Sequence, residues 1–77
     1  MNSMWVEVEL STGLADGKKK TLRFPIEEGC TPAFIADRLQ LDRERVGLIT
    51  VDGRVVEWNE PLSSGQRVCF FPFINGG

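Results

Sequence analysis

The sequence predicts a two-layer α+β domain, in which one helix lies across one face of a mixed sheet of four to five strands. Three observations predict it. The length of 77 residues fits one small domain, so residues 1–77 are predicted to form a single domain. Several segments alternate apolar and polar residues with period two, as half-buried strands do. A helix start signal at Thr31-Pro32 is followed by helical apolar spacing.

The first two strands are predicted on either side of a loop rich in turn residues. Residues 4–10 alternate cleanly, and the alternation resumes over residues 22–26. The loop between them contains Asp16-Gly17, a pair that supplies turn chemistry, so the two segments form a hairpin. Pro25 fits an edge strand or a strand end because it cannot donate to a ladder. The residues expected to face inward are Met4, Val6, Val8, Leu10, Leu22, Phe24 and Ile26.

The helix is predicted from Pro32 to about Gln40. Thr31 can cap its first turn, and proline is tolerated at the first helical position because its missing N–H would have no partner there. A second short turn over residues 43–45 follows, with Asp42 as its cap. The expected inward stripe comprises Phe34, Ile35, Ala36 and Leu39, and the expected solvent side comprises Asp37, Arg38 and Gln40.

The second half of the chain carries a strong hairpin signal. Asp52-Gly53 separates two β-rich segments, residues 47–51 and 54–57. The loop over residues 59–65 contains Leu62, which we expect to plug the core. Residues 67–74 include apolar residues at both odd and even positions, which is typical of a central strand that is covered on both faces. We expect this last strand to pair in parallel with the first one.

Composition excludes several classes of function. The net charge is −2, and the one basic run, Lys18-Lys19-Lys20, is interpreted as a solvated turn, so no nucleic acid is expected as a partner. The sequence contains no histidine, which removes the usual general base near neutral pH and the commonest metal ligand. No metal site is predicted. An apolar stretch long enough for a membrane span and a secretory signal are both missing, so no membrane contact and a cytoplasmic location are expected.

The two cysteines are interpreted as separate thiols. Cys30 and Cys69 are far apart in the sequence and form no C-x-x-C pair. Cys69 lies in an apolar segment, where a small buried hydrophobic residue is expected. Arg67 shares its strand face, but a basic neighbour on one face does not make a nucleophile.

The chemistry is expected at the end of the chain. Gly76 and Gly77 have no side chains, so they can pass through a narrow tunnel in a partner, and they are costly to order until something binds them. Gly77 then presents an α-carboxylate that a partner can activate as a mixed anhydride with AMP. A sulfur nucleophile would convert it to a thiocarboxylate, and an amine would convert it to an amide. Residues 74–77 are therefore predicted to be a flexible tail.

Three segments carry a family resemblance: residues 52–56 (DGRVV), 61–68 (PLSSGQRV) and 70–77 (FFPFINGG). Together they resemble the ThiS/MoaD family of ubiquitin-like sulfur carriers, and the likeness covers essentially the whole chain. Asp52 stands where the family often has asparagine, and Gln66 replaces the usual acidic residue after Gly65. Because neither departure touches the tail, we expect the turns to keep their geometry.

The resemblance implies a β-grasp fold and a carrier protein that is not itself an enzyme. It implies three partners: an E1-like adenylyltransferase that spends ATP on Gly77, a sulfurtransferase or persulfide donor, and an acceptor synthase. The acceptor would be of the molybdopterin synthase large subunit type or the thiazole synthase type. Phe71-Pro72 before the tail favours the molybdopterin pathway, and the thiamine pathway remains open. No bound cofactor is expected, and the free chain is expected to be a monomer.

The alternation of side chains between the two faces of the last strand suggests which residues contact a partner. If Val68 points towards the helix, Phe71 and Phe73 lie on the other face and can dock a partner, while Ile74, Asn75 and Gly76 thread into it. Alternatively, Phe71 packs against Trp5 and closes that face. Trp58 is a further aromatic candidate, and Arg54 and Arg67 are candidates for steering a partner.

Two other functions share these features. A ubiquitin-like modifier would end with Gly77 joined to a lysine of a target protein, and a β-grasp binding module would not use its tail. A free enzyme would need a base or a metal in a pocket, which these side chains do not provide.

Overall fold

A computed structural model describes residues 3–14 and 17–73 of the chain. Its described part contains five strands, one α-helix and two short 3₁₀ turns. The 3₁₀ turns cover Thr12–Leu14 and Arg43–Arg45. The strands and the helix are β1 (Trp5–Leu10), β2 (Lys20–Pro25), α1 (Pro32–Arg38), β3 (Val46–Val51), β4 (Arg54–Val55) and β5 (Arg67–Pro72).

The strands form one mixed sheet in the order β2-β1-β5-β3-β4. The parallel pair is β1 with β5, in a register that places Val8 opposite Val68. The pairs β1–β2, β3–β4 and β3–β5 are antiparallel. This arrangement confirms the predicted mixed sheet, the central position of the last strand, and the position of Pro25 in a strand at the edge of the sheet.

The core lies between the sheet and the helix, and its buried residues form one cluster. Alternate residues of β1 are buried, with Val6 and Val8 fully inaccessible, as period-two alternation predicts. Val68 and Phe70 of β5 are also fully inaccessible. Leu62 is buried in this cluster, so the prediction that it fills the core is confirmed.

The N-terminus of α1 follows the sequence prediction. The Thr31 hydroxyl accepts a hydrogen bond from the backbone N–H of Phe34 at 3.3 Å, and Pro32 occupies the first helical turn. In the short turn that follows, Asp42 accepts from the backbone N–H of Glu44 at 3.0 Å, which confirms this cap as well.

The helix ends at Arg38, two residues before the predicted end at Gln40. Gln40 adopts a left-handed conformation with φ of 56°, and the N–H of Leu41 returns to the carbonyl of Ala36 at 2.8 Å. The N–H of Gln40 also bonds to the carbonyl of Asp37 at 3.2 Å. These two bonds form a Schellman motif, in which a left-handed residue terminates the helix.

The prediction that Phe34 faces the core is wrong. Its side chain is 46% exposed, whereas Ile35 and Ala36 are fully buried. Each helical residue is rotated by about 100° from the one before. The line through Ile35 and Leu39 points to the sheet, so Phe34 is turned towards the edge strand β2 instead.

The two residues that depart from the family pattern, Asp52 and Gln66, do not disrupt the turns in which they lie. Asp52 and Gly53 have positive φ values of 51° and 83°, which are the values that a type I′ hairpin turn requires. Gly65 has φ of 90°, and the side chain of Gln66 accepts the backbone N–H of Ser63 at 2.8 Å. An acceptor is therefore present at position 66 although the usual acidic residue is not.

Candidate functional site

The candidate site lies where β5 leaves the sheet. Of the residues predicted to form the C-terminal docking and threading site, Phe71 and Phe73 are described, and Phe71 lies within β5. Ile74, Asn75, Gly76 and Gly77 lie outside the described residues, so the predicted flexible tail and its reacting carboxylate lie outside them too. The geometry of residues 71–73 and their neighbours determines the direction in which the chain leaves the sheet.

The backbone of Phe73 is held against the start of β3. Its N–H donates to the carbonyl of Arg45 at 3.3 Å. A Cβ on Gly47 would lie 2.9 Å from Phe73 Cα and 2.9 Å from Phe73 Cδ1, closer than nonbonded carbons approach. Glycine is therefore required at position 47 for the chain to pass this close.

A second glycine makes room for Pro72. A Cβ on Gly13 would lie 2.7 Å from Pro72 Cγ. The guanidinium of Arg45 donates to the carbonyl of Gly13 at 2.9 Å and thereby links the first 3₁₀ turn to the segment before β3. The sequence patterns do not mark Gly13, Arg45 or Gly47 as site residues. Glycines are common in loops, and nothing in the sequence indicates that the last strand crosses them.

The sheet face opposite α1 has an apolar end beside this exit. Phe73 is 63% exposed and Leu48 is 42% exposed, and Phe71 is half-buried opposite Leu48 in the β3–β5 register. Val55, in the edge strand β4, is also exposed. We call the exposed surface of Leu48, Phe71 and Phe73 the exit patch. Leu48 was missed because a register irregularity between Val46 and Leu48 interrupts the simple alternation of β3.

The alternative in which Phe71 packs against Trp5 is wrong. The carbonyl of Trp5 accepts from the N–H of Gly65 at 2.7 Å, which places Trp5 just before the start of β5. Phe71 is six residues further along the same direction, or about 20 Å at the rise of an extended strand. The ring of Trp5 instead lies 4.0 Å from the guanidinium of Arg23.

The sheet face opposite α1, which we call the open face, carries charged residues away from the exit patch. The guanidinium of Arg67 pairs with the carboxylate of Glu7 at 2.7 Å, and that hydrogen bond raises the pKa of Arg67. Lys19 pairs with Glu9 at 3.4 Å. Arg54, the other arginine considered for steering, pairs with Glu60 at 3.4 Å. The open face therefore combines a region of neutralised charges with the apolar exit patch.

Trp58 has a structural role. It is half-buried and packs against the core, with its ring centroid 6.1 Å from that of Phe70. The guanidinium of Arg43 lies 5.2 Å from its ring, and the carbonyl of Trp58 accepts the N–H of Ala33 at 3.0 Å. These contacts fix the loop after β4 to the start of α1.

Neither cysteine has the environment of a nucleophile. Cys30 is buried, and burial raises the pKa of its thiol. Burial also raises the pKa of the Cys69 thiol, and the opposing influences of Thr50 and Arg67 do not reverse the shift. Reactive cysteines have depressed pKa values. Both thiols therefore lack the depressed pKa of a nucleophilic cysteine.

Comparison with known proteins assigns the family. The model of the ThiS family matches residues 17–77, which include the Asp52-Gly53 turn, β5 and the Gly-Gly end. The chain belongs to the ThiS family. No curated protein sequence matches it.

A solved structure confirms the fold of this ThiS-family chain. The crystal structure of SAMP1 from Haloferax volcanii superposes with a TM-score of 0.74 and covers 95% of this chain and 99% of its own. At 21% identity this likeness concerns the fold, which is β-grasp as predicted. In the described part of the chain, no helix is long and apolar enough to cross a membrane.

Proposed function

We propose that this chain is a sulfur carrier whose Gly77 carboxylate is activated and thiocarboxylated by partner enzymes. The match of the ThiS family model through residue 77 carries the proposal. The exit patch and the two glycines that let the chain leave the sheet beside it support it, because a carrier must deliver its end into a partner while its domain docks outside.

The chemistry proceeds in two stages on the last residue. The Gly77 carboxylate attacks the α-phosphate of ATP in an E1-like adenylyltransferase, pyrophosphate leaves, and an acyl adenylate remains. The terminal sulfur of a persulfide donor attacks the acyl carbon and AMP leaves. A thiol then reduces the acyl disulfide, which releases the thiocarboxylate and forms a disulfide with the donor. In this scheme the chain supplies the carboxylate and the docking surface, and its partners supply the catalytic groups and ATP.

The acceptor is proposed to be a synthase that builds sulfur into a cofactor. The Phe71-Pro72 pair before the tail favours the molybdopterin type, and the thiazole synthase type is the alternative. Incubating the thiocarboxylated chain with each synthase and its substrate distinguishes the two by which product gains sulfur. We propose that the free chain is a cytoplasmic monomer that binds neither nucleic acid nor a cofactor of its own.

Intact mass spectrometry tests the proposal. The full chain is incubated with a ThiS-type adenylating enzyme, ATP and a persulfide donor. The expected mass gain is the difference between one sulfur and one oxygen, and omitting ATP abolishes it. A variant lacking Gly77 is the control, and its circular dichroism spectrum is expected to match that of the parent chain. An unchanged mass with an enzyme that modifies its own cognate carrier would refute the proposal.

The same experiment, repeated in a cell extract, separates a carrier from a protein modifier. A modifier would appear as larger conjugates that resist reduction, whereas a carrier returns to its original mass after it gives up sulfur. A binding module that does not use its tail would retain partner binding and cofactor synthesis after deletion of Gly77.

A further inference from the structure

We propose that the groove between β2 and α1 binds an extended segment of a partner protein that carries carboxylates at one end and apolar residues at the other. The segment would add a strand along the outer edge of β2. This surface is separate from the exit patch, and the inference does not depend on the sulfur-carrier proposal.

The backbone of β2 offers hydrogen-bonding groups along this edge. Among the described strands, β2 lies at the outside of the sheet. The N–H of Ile26 donates to the carbonyl of Met4 at 3.0 Å, so even-numbered residues of β2 bond to β1. Odd-numbered residues therefore direct their backbone groups outwards, including the N–H groups of Thr21 and Arg23. An extended peptide pairs with such an edge, and alternate side chains give specificity.

The groove beside this edge has an aromatic wall. Phe34 is 46% exposed on α1 and faces a depression that it shares with Phe24, Pro25 and Arg38. The guanidinium of Arg38 lies 5.2 Å from the Phe34 ring centroid. A further cavity of about 550 Å³ continues between Phe34 and Cys30. An exposed aromatic side chain in a concave setting is a typical anchor site for an apolar partner residue.

The charges along the groove select the class of partner. Lys18, Lys19 and Lys20 line one end, and Arg38 lies in the middle. The carboxylates Glu27 and Glu28 line the opposite end. Asp42 also lines the basic end and keeps its negative charge there, but Lys18, Lys20 and Arg45 outnumber it, while Lys19 already pairs with Glu9. An incoming segment therefore gains most from carboxylates beside Lys18 and Lys20 and apolar residues beside Phe34.

The position of the groove leaves the proposed carrier site accessible. In the sheet, β2 is separated from β5 by β1. The groove also opens on the side of the helix, whereas Phe71 and Phe73 lie towards the open face. A partner held in the groove could therefore stay bound while the chain end is processed elsewhere.

Titration with a synthetic peptide tests the proposal. The probe is a capped octapeptide with three acidic residues followed by alternating valine and isoleucine, and its control has lysines in place of the acids. Binding is followed by ¹H–¹⁵N NMR of the full chain. The expected result is that the amide signals of Thr21 and Arg23 shift with the acidic peptide, and that the lysine peptide binds at least about tenfold more weakly. Raising the salt concentration weakens the acidic peptide's binding.

Three variants locate the binding site. Phe34→Ala is expected to weaken binding about five- to tenfold, since truncating an anchor aromatic typically costs that much. Arg38→Gln is expected to weaken binding of the acidic peptide. Val55→Ala, which truncates an exposed apolar residue at the other edge of the sheet, is the matched control and leaves binding unchanged. Thermal melts check that all three variants fold.

Four results would overturn the proposal. These are no binding at millimolar peptide, equal binding of the lysine peptide, shifts confined to Thr50 and Cys69 on the open face, and concentration-dependent shifts of the β2 amides without peptide. The last result would mean that a second copy of the chain occupies the edge.

Discussion

Phe73 crosses Gly47 so closely that a methyl group on Gly47 would lie 2.9 Å from the Phe73 Cα. Because the atom in the way belongs to the backbone, it cannot be moved by a change of rotamer. The contact therefore couples position 47, at the start of β3, to the path of the backbone at Phe73.

Gly47→Ala is expected to displace the chain end and impair activation of Gly77. The clash must be relieved by a shift of Phe73, and overpacking of this kind costs about 1–3 kcal/mol. We expect the melting temperature to fall and the rate of adenylation to fall further than unfolding explains. Pyrophosphate release, measured at a temperature where the variant is folded, gives this rate.

Gly13→Ala is the comparison variant. Its Cβ would lie 2.7 Å from Pro72 Cγ rather than close to backbone atoms. A change of ring pucker can move that atom, so the effect on adenylation is expected to be smaller. Equal adenylation by the parent chain and Gly47→Ala would contradict the role assigned to this contact.

Phe73→Ala is expected to weaken docking without unfolding the domain. Phe73 is 63% exposed, so little burial is lost in the free chain. Removing an aromatic from an interface centre typically costs more than about 1 kcal/mol of binding free energy. Titration calorimetry with the adenylating enzyme would show weaker binding with an unchanged urea midpoint. Leu48→Ala is expected to act in the same direction.

Phe70→Ala is the comparison variant for Phe73→Ala, because it is expected to lower the stability of the domain. Phe70 is fully buried, and its truncation is expected to destabilise the fold by about 3–5 kcal/mol. If the exit patch were structural, Phe73→Ala would lower the urea midpoint as Phe70→Ala does.

Asp52→Ala is expected to destabilise the chain by about 1–2 kcal/mol. The carboxylate of Asp52 accepts the backbone N–H of Arg67 at 2.9 Å, and its φ of 51° is unfavourable for alanine. Asp52→Asn keeps both an acceptor and tolerance of the left-handed region, so its urea midpoint should stay near that of the parent. An equal fall of the urea midpoint in both variants would show that the charge of Asp52, rather than the turn geometry, stabilises the chain.

Stability is expected to fall at alkaline pH because of the two thiols. Burial raises the pKa of Cys30 and of Cys69 in the folded chain, so folding favours their protonated forms. This contribution is complete below the pKa of an unfolded cysteine and is lost as the pH rises through the folded values. Urea midpoints between about pH 7 and about pH 10 measure it. A chain carrying Cys30→Ala and Cys69→Ala should show a flatter decline, and an equally steep one would exclude the thiols as its source.

Local patterns predicted most of the elements. Thr31-Pro32 predicted the helix start, and Asp52-Gly53 predicted the hairpin, because capping and turn chemistry depend on neighbouring residues. The error at Phe34 had a different origin. Ile35 and Phe34 are both apolar, and helical spacing alone cannot tell which of two adjacent apolar residues faces the sheet.

The sequence by itself determined the alternation of the strands, the caps and turns, and the glycine pair on which the proposed chemistry rests. These features depend on contacts between residues close in the chain or on the residue types themselves. The tertiary structure alone decided that Phe73 passes over Gly47, that Leu48 joins Phe71 and Phe73 in the exit patch, and that Phe34 lines a groove with β2. Those relationships join residues far apart in the chain, and they exist only once the strands have paired in one register.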